Sequence, residues 1–224
     1  QQAAAMEALC QIVSKESMRR LVSYLGDPHR YNRSSVSRAL CKIGEPVGPL
    51  LIQAYRTNSW IRCNETQLVA KLAGLHALEG FLEALHDRRK LVRESAEEGL
   101  VAMGESAVPP LLSLISSSDT STRIHAARVL GRIGHESAFD TIARMVSEGT
   151  TEERRVAVEA LGGFSDNHCV DLLSLAIQST DVEIRRRAFK AMGRMEDRRL
   201  TEILRAGLLG TNSQVHLEVV RFID

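Results

Sequence analysis

His135 followed by Glu136 offers an imidazole and a carboxylate side by side, the donor types of a metal centre. A centre needs more than one such pair, and His29, His76, His86, His125, His168 and His216 show no spacing that assembles ligands on one helix face. Cys10, Cys41, Cys63 and Cys169 lie far apart, without the two-residue spacing of zinc or redox motifs. They read as inert buried thiols in a reducing compartment. Arg33, Arg62, Arg93, Arg123, Arg154 and Arg185 could form a ladder of positive charge for phosphate. A denser basic cluster runs through Arg185, Arg186, Arg187, Lys190, Arg194, Arg198, Arg199 and Arg205, and a second through Arg88, Arg89, Lys90 and Arg93. Glu183, Glu196, Asp197 and Glu202 are interleaved with the first, which favours a salt-bridged solvated face. No Ser-His-Asp set, phosphate-cradling glycine loop or paired-carboxylate site emerges. The expectation is therefore no catalytic residue, no metal and no cofactor within these residues.

What positions these groups is an internal repeat. The six arginines follow one another at spacings of 29, 31, 30, 31 and 31, and His216 continues the series 31 further on. Seven residues after each come Leu40, Val69, Leu100, Leu130, Leu161, Met192 and Ile223. Ala96, Ala126, Ala157 and Ala188 stand three residues after their arginines, and Ile43, Leu72, Met103, Ile133, Phe164 and Met195 about ten after. These offsets draw one apolar stripe along a helix. Asn58, Asp119, Thr150, Asp181 and Asn212 precede each stripe as capping types.

Gly44, Gly104 and Gly134 fall where that helix must end. Pro49 and Pro109 then suit the opening turn of a second helix. Leu50 and Leu51, Leu111 and Leu112, Ile142 and Ala143, Leu172 and Leu173, and Ile203 and Leu204 anchor these second helices. The units run over 27–56, 58–86, 88–117, 119–147, 150–178 and 181–209, with a remnant at 5–25 and a further start at Asn212. The best copy is Asp119 to Val146; the most divergent is 58–86, where Glu65 replaces Ala and Gly74 and Gly80 weaken the expected helix. A position fixed by the repeat is structural, so the arginine ladder reads as pairs with carboxylates or carbonyls of an adjacent repeat. Cys10 and Cys41 share the position of Gly131, where a small side chain lets two helices approach.

The fold class that follows is all-α, a solenoid of about seven helical hairpins in one domain over 1–224, read as a fragment of a longer protein. One hairpin of about 30 residues cannot bury enough apolar surface to offset the entropy of ordering it, so neighbours must stabilise one another. Aromatic residues are 4% against 44% hydrophobic, which suits a Leu, Ile, Val and Ala core between helices. The net charge of +1 gives no global reason to bind nucleic acid or an anionic membrane. No apolar run approaches the roughly 20 residues of a membrane span, and the expected location is cytoplasmic.

The pattern from Arg123 to Gly134, echoed at Arg93 to Gly104 and Arg154 to Gly163, resembles the HEAT-like repeat of the bilin (phycobiliprotein) lyase type. That resemblance implies an armadillo-like, right-handed α-solenoid (superhelix) with first helices on the convex side and second helices lining a concave groove. His135 and Glu136 resemble the His-Glu motif of HEAT-type deoxyhypusine hydroxylases, but the equivalent positions carry Glu45, Glu105 and Ser165, so the di-iron site is not expected. HEAT-like alkylpurine DNA glycosylases present aromatics in their cleft; here Trp60, the single Trp, lies outside the expected second helices.

The expectation is thus a protein-interaction scaffold or adaptor that binds a peptide or partner domain, or the rest of its own chain, on the second-helix face. The alternative is a subunit of a bilin lyase-like enzyme, with a DNA-binding or glycosylase-like protein behind it. By repeat register the partner-binding candidates are Arg19, Arg20, Arg56, Arg144, Arg198, Arg199 and Arg205, with Gln53, Glu79, Glu83, Ser113, Asp140, Asp171, Ser174 and Glu202 near the same face.

Overall fold

The computed structural model describes residues 14–26, 30–166 and 168–195, apart from the side chains of 30–32 and 59. Among the described residues every regular element is helical, and the hairpins of the repeat are present as an all-α solenoid. The chain divides into two compact units, residues 1–107 and 108–224.

In the first unit, α1 (Lys15–Tyr24) is a second helix, followed by the hairpin α2 (Arg30–Ile43) and α3 (Gly48–Thr57). The next hairpin has its first helix in two pieces, α4 (Ser59–Asn64) and α5 (Thr66–Ala73), before α6 (His76–Ala84). The unit ends with α7 (Lys90–Met103) and a 3-10 turn at Gly104–Ala107. Second helices pack on second helices, α1 on α3 and α3 on α6, while α5 lies between α2 and α7. The second unit holds α8 (Val108–Leu114), α9 (Thr120–Ile133), α10 (Phe139–Glu148), α11 (Thr151–Leu161), α12 (His168–Ala176) and α13 (Val182–Met192). There α11 packs between α9 and α13.

Most of the stripe deduced from the offsets is core, with Leu72 and Phe164 buried at the tenth position and Ile43, Met103, Ile133 and Met195 half-buried there. Ala96, Ala126, Ala157 and Ala188 are fully buried, as are Leu40, Val69, Leu100, Leu130 and Leu161. The helix starts also form as the capping residues dictate. Asn58 accepts from the amides of Trp60 and Ile61, Asp119 from Thr122, Thr150 from Glu153 in a reciprocal capping box, and Asp181 from Glu183 and Ile184. Pro49 lies in the first turn of α3, where its missing amide costs nothing.

Three expectations are corrected. Gly74 does not weaken a helix interior: it ends α5 with φ of 50°, as Gly44, Gly104 and Gly134 end their helices, all four at intervals of 30 residues. Cys41 is exposed rather than buried, although Gly131 at the same register does lie against Ala160. The first helix of the repeat that follows Cys41 is interrupted at Glu65. Cys63 is half-buried and Cys169 buried; Cys10 lies outside the described residues. Finally, the buried residue that replaces Ala in the divergent unit is Thr66, and Glu65 marks the break itself, with φ −120° and ψ 19°.

Candidate second-helix interaction face

Four of the six repeat arginines are structural. Arg93 donates through NH1 to the carbonyls of Asp87 (2.8 Å) and Arg88 (3.0 Å), Arg123 to Ser117 (2.6 Å) and Ser118 (3.0 Å), and Arg185 to Ser179 (2.8 Å) and Thr180 (3.2 Å). Arg154 reaches the Gly149 carbonyl at 2.9 Å. Each thus satisfies carbonyls of the turn that joins the preceding second helix to its own first helix. The described part of the basic cluster is likewise engaged with carboxylates: Arg187, Lys190 and Arg194 all meet Glu159, and Arg186 meets Glu183. His135 accepts from the Ser137 amide and caps a 3-10 turn at Glu136–Ala138. Among the described residues no three His, Cys, Asp or Glu side chains converge on a metal position, and no helix is long and apolar enough to cross a membrane.

Arg62 departs from the ladder. Leu25, Tyr55, Leu85 and Ile115 recur at 30 residues, as do the four turn glycines, and Cys63 rather than Arg62 stands 30 after Arg33 and 30 before Arg93. Arg62 is therefore one residue early, which rotates its side chain by roughly 100° about the helix. Its Nε has no hydrogen-bond partner among the described residues, and its NH1 makes a long ion pair with Asp87 at 3.7 Å. Asp87 instead accepts from the Arg89 amide (2.9 Å), Nε (3.0 Å) and NH2 (2.9 Å). Chiefly through that Arg89 side-chain bond, which outweighs burial, its carboxyl is held at about 2.

Of the candidate residues, Arg19 and Arg56 line recesses between second helices. Arg19 lines an open recess of about 410 Å³ between α1 and α3, together with Val22, Ser23, Leu50, Gln53, Ala54, Thr57, Asn58 and Ile61. Arg56 donates to Glu79 (3.0 Å) and Glu83 (3.3 Å) across α3 and α6, and lines a second recess of about 240 Å³. Arg20 is exposed and pairs only with Glu16 among the described residues. Arg144 is exposed on α10, in the other unit. Arg198, Arg199 and Arg205 lie outside the described residues. The structure thus brings Arg19 with Gln53, and Arg56 with Glu79 and Glu83, onto adjacent second helices.

Tyr55 and Asp87 were missed by register reasoning, and Arg62 was read only as a ladder member. All three line the 240 Å³ recess with Arg56, Gly80, Glu83, Ala84 and His86. The available signal was the 29-residue step before Arg62, together with an aromatic at the register of Leu25, Leu85 and Ile115.

On the opposite side of the unit, the break at Glu65 opens a recess of about 480 Å³ lined by Ser37, Cys63, Asn64, Thr66, Gln67, Leu68, Lys71, Ser95 and Glu98. Ser37 donates to the Glu65 carboxylate (3.3 Å) and Ser95 to the Cys63 carbonyl (3.1 Å). Neighbouring repeats therefore satisfy groups at the break. Burial raises the Glu65 carboxyl above its ordinary range despite Ser37 and Arg33.

The family model for HEAT repeats matches residues 78–162 and 141–221. The beta subunit of a phycocyanobilin lyase from Thermosynechococcus vestitus is 42% identical over 45 residues, 20% of this chain and 21% of that protein. The match therefore spans about a fifth of that relative's length. Among solved structures, the complex of CpcE and CpcF of phycocyanin lyase from Nostoc sp. PCC7120 gives a TM-score of 0.57 at 18% identity, covering 67% of this chain and 99% of that one. An engineered protein gives 0.47 at 19% identity, covering 97% of this chain and 70% of that one. The likeness to the lyase complex is one of fold, and with repeat matches across 78–221 the chain belongs to the HEAT-repeat family.

Proposed function

We propose that the chain is a protein-interaction module whose second-helix face in the first unit binds a polypeptide segment of a partner. The observation that supports this best is the pair of recesses between successive second helices, one holding Arg19 and Gln53, the other Arg56 and Arg62. Packed helices lie about 8–10 Å apart, close to three residues of extended chain at roughly 3.3 Å each. Side chains of one extended segment can therefore enter adjacent recesses. A preformed face of this kind binds with little reorganisation, so weak contacts add up. The balanced charge disfavours nucleic acid, and residues 1–224 are taken as one solenoid domain acting in the cytoplasm. Affinity capture with the intact protein tests the reading. Polypeptide partners lost on combining Arg19→Glu with Arg56→Glu would support it, and capture unchanged by both reversals would overturn it.

A second reading, a subunit of a bilin lyase-like enzyme, is favoured by the local match to the phycocyanobilin lyase beta subunit. An absorbance shift on mixing the chain with bilin and an apo-phycobiliprotein would support that activity. No shift would sink it.

A further inference from the structure

Tyr55 is 2% exposed, and its phenol oxygen is buried without a hydrogen-bond partner among the described residues. Leaving such a group unpaired is unfavourable, and it recurs rarely in folded proteins. The ring itself is held edge-on against Phe81, with centroids 5.1 Å apart, so the hydroxyl is fixed in place. Beside it lies Arg62, whose Nε is also buried and unpartnered. Arg93 also has an unpartnered Nε, but its terminal nitrogen is bonded to two carbonyls, as that of Arg62 is not.

The charges around this recess are not equally available. Asp87 is engaged by three contacts from Arg89, while Glu79 and Glu83 share Arg56 and are 78% and 58% exposed at the side chain. Exposed carboxylates are screened and count for little. The Arg62 side chain is only 22% exposed and its NH1 lies 3.7 Å from Asp87 Oδ2, while its Nε and the Tyr55 hydroxyl are two donors without acceptors, buried in the wall of a recess of about 240 Å³, a size that admits one side chain. A phenol O–H and a guanidinium together suit a carboxylate, whose two oxygens accept from both.

We propose that the Tyr55–Arg62 recess is a subsite for the carboxylate of an acidic side chain in the bound polypeptide, a specificity that rests on the second-helix face being the docking surface. The one-residue displacement of Arg62 is what converts a structural arginine into a recognition residue. Burial, the largest influence, keeps the Tyr55 phenol protonated well beyond its ordinary titration, so it stays a donor at neutral pH.

The test is an NMR titration of the full chain, following the arginine Nε–H signals of Arg19, Arg56 and Arg62, each assigned by its loss in the Arg→Lys variant. The probe is an acetylated and amidated Gly/Ser peptide with one central glutamate; the comparisons are its glutamine counterpart and inorganic phosphate. The glutamate peptide should shift Arg62 and leave Arg93 and Arg185 unmoved, and glutamine should weaken this roughly tenfold, the worth of one charge-assisted bond. Tyr55→Phe should weaken glutamate binding to a similar degree without lowering the Tm, because the hydroxyl has no partner in the free protein. Shifts at Arg19 or Arg56 with Arg62 unmoved would overturn the subsite and leave the docking face standing. No shift at any of the three would overturn both. Phosphate acting at lower concentration than the glutamate peptide would overturn the carboxylate assignment.

Discussion

Arg123 and Glu153, thirty residues apart, are joined at 2.5 Å from Nε to Oε1 and bind two consecutive first helices together. Each is also committed elsewhere. Arg123 holds the Ser117 and Ser118 carbonyls, and Glu153 Oε2 accepts from the Thr150 amide at 2.7 Å. The pair therefore ties the end of one repeat, the body of the next and the start of the one after into a single network. Arg123→Ala should cost about 2–4 kcal/mol, since it strands a buried carboxylate and two carbonyls. Adding Glu153→Gln should recover part of that loss, because the amide carries no charge and still caps Thr150. Urea unfolding of the two variants measures this; a double variant no more stable than Arg123→Ala would contradict it.

The acid limb of stability should depend on Asp87. Its folded pKa of about 2 lies below the ordinary 3.8, so the carboxylate stabilises the fold above that ordinary value. The contribution is lost as pH falls from 3.8 towards about 2. Asp87→Asn should lower the Tm at pH 7 and flatten its fall across that window. A Tm profile parallel to that of the unaltered protein would count against the assignment.

Glu65 should behave in the opposite sense. Its folded pKa lies above the ordinary 4.5, so the ionised carboxylate is a cost at neutral pH, and stability returns as pH falls through the raised value towards 4.5. Glu65→Gln keeps an acceptor for Ser37 and should raise the Tm at pH 7, with the gain fading in acid. Equal gains at pH 7 and pH 4 would show that desolvation is not the cause.

Two glycines should part company on substitution. A Cβ at Gly131 would overlap the Cβ, Cα and carbonyl oxygen of Ala160, so Gly131→Ala should cost about 1–3 kcal/mol despite the better helix propensity. At Gly80 the nearest atom would be the Tyr55 ring at 3.7 Å, an ordinary contact inside α6. Gly80→Ala should stabilise by about 0.5–1 kcal/mol. Thermal denaturation distinguishes the signs, and loss of stability in both would mean that α6 has no room against Tyr55.

The contrast between these positions shows what the sequence could carry. Burial of Ala126, Ala157 and Leu130 followed from a 3.6-residue period, and the caps at Asp119 and Thr150 from side-chain type, because both are local consequences of helix geometry. The exposure of Cys41 was not local: it depends on a break in the neighbouring repeat at Glu65. Tyr55 was hidden for a similar reason, since a tyrosine at an apolar register position reads as core until its hydroxyl is seen to lack a partner. Arg62 carried a visible signal in its 29-residue step, but a displacement of one residue acquires meaning only when the direction of the side chain is known.

The central claim is that partners dock on the second-helix face of the first unit. A photo-cross-linking residue at exposed Gln53 on α3, compared with one at exposed Glu94 on the first helix α7, tests it directly in the intact protein. The account predicts polypeptide adducts from Gln53 that disappear with Arg56→Glu, and few from Glu94. Adducts from Glu94 alone, or Gln53 adducts indifferent to Arg56→Glu, would contradict it.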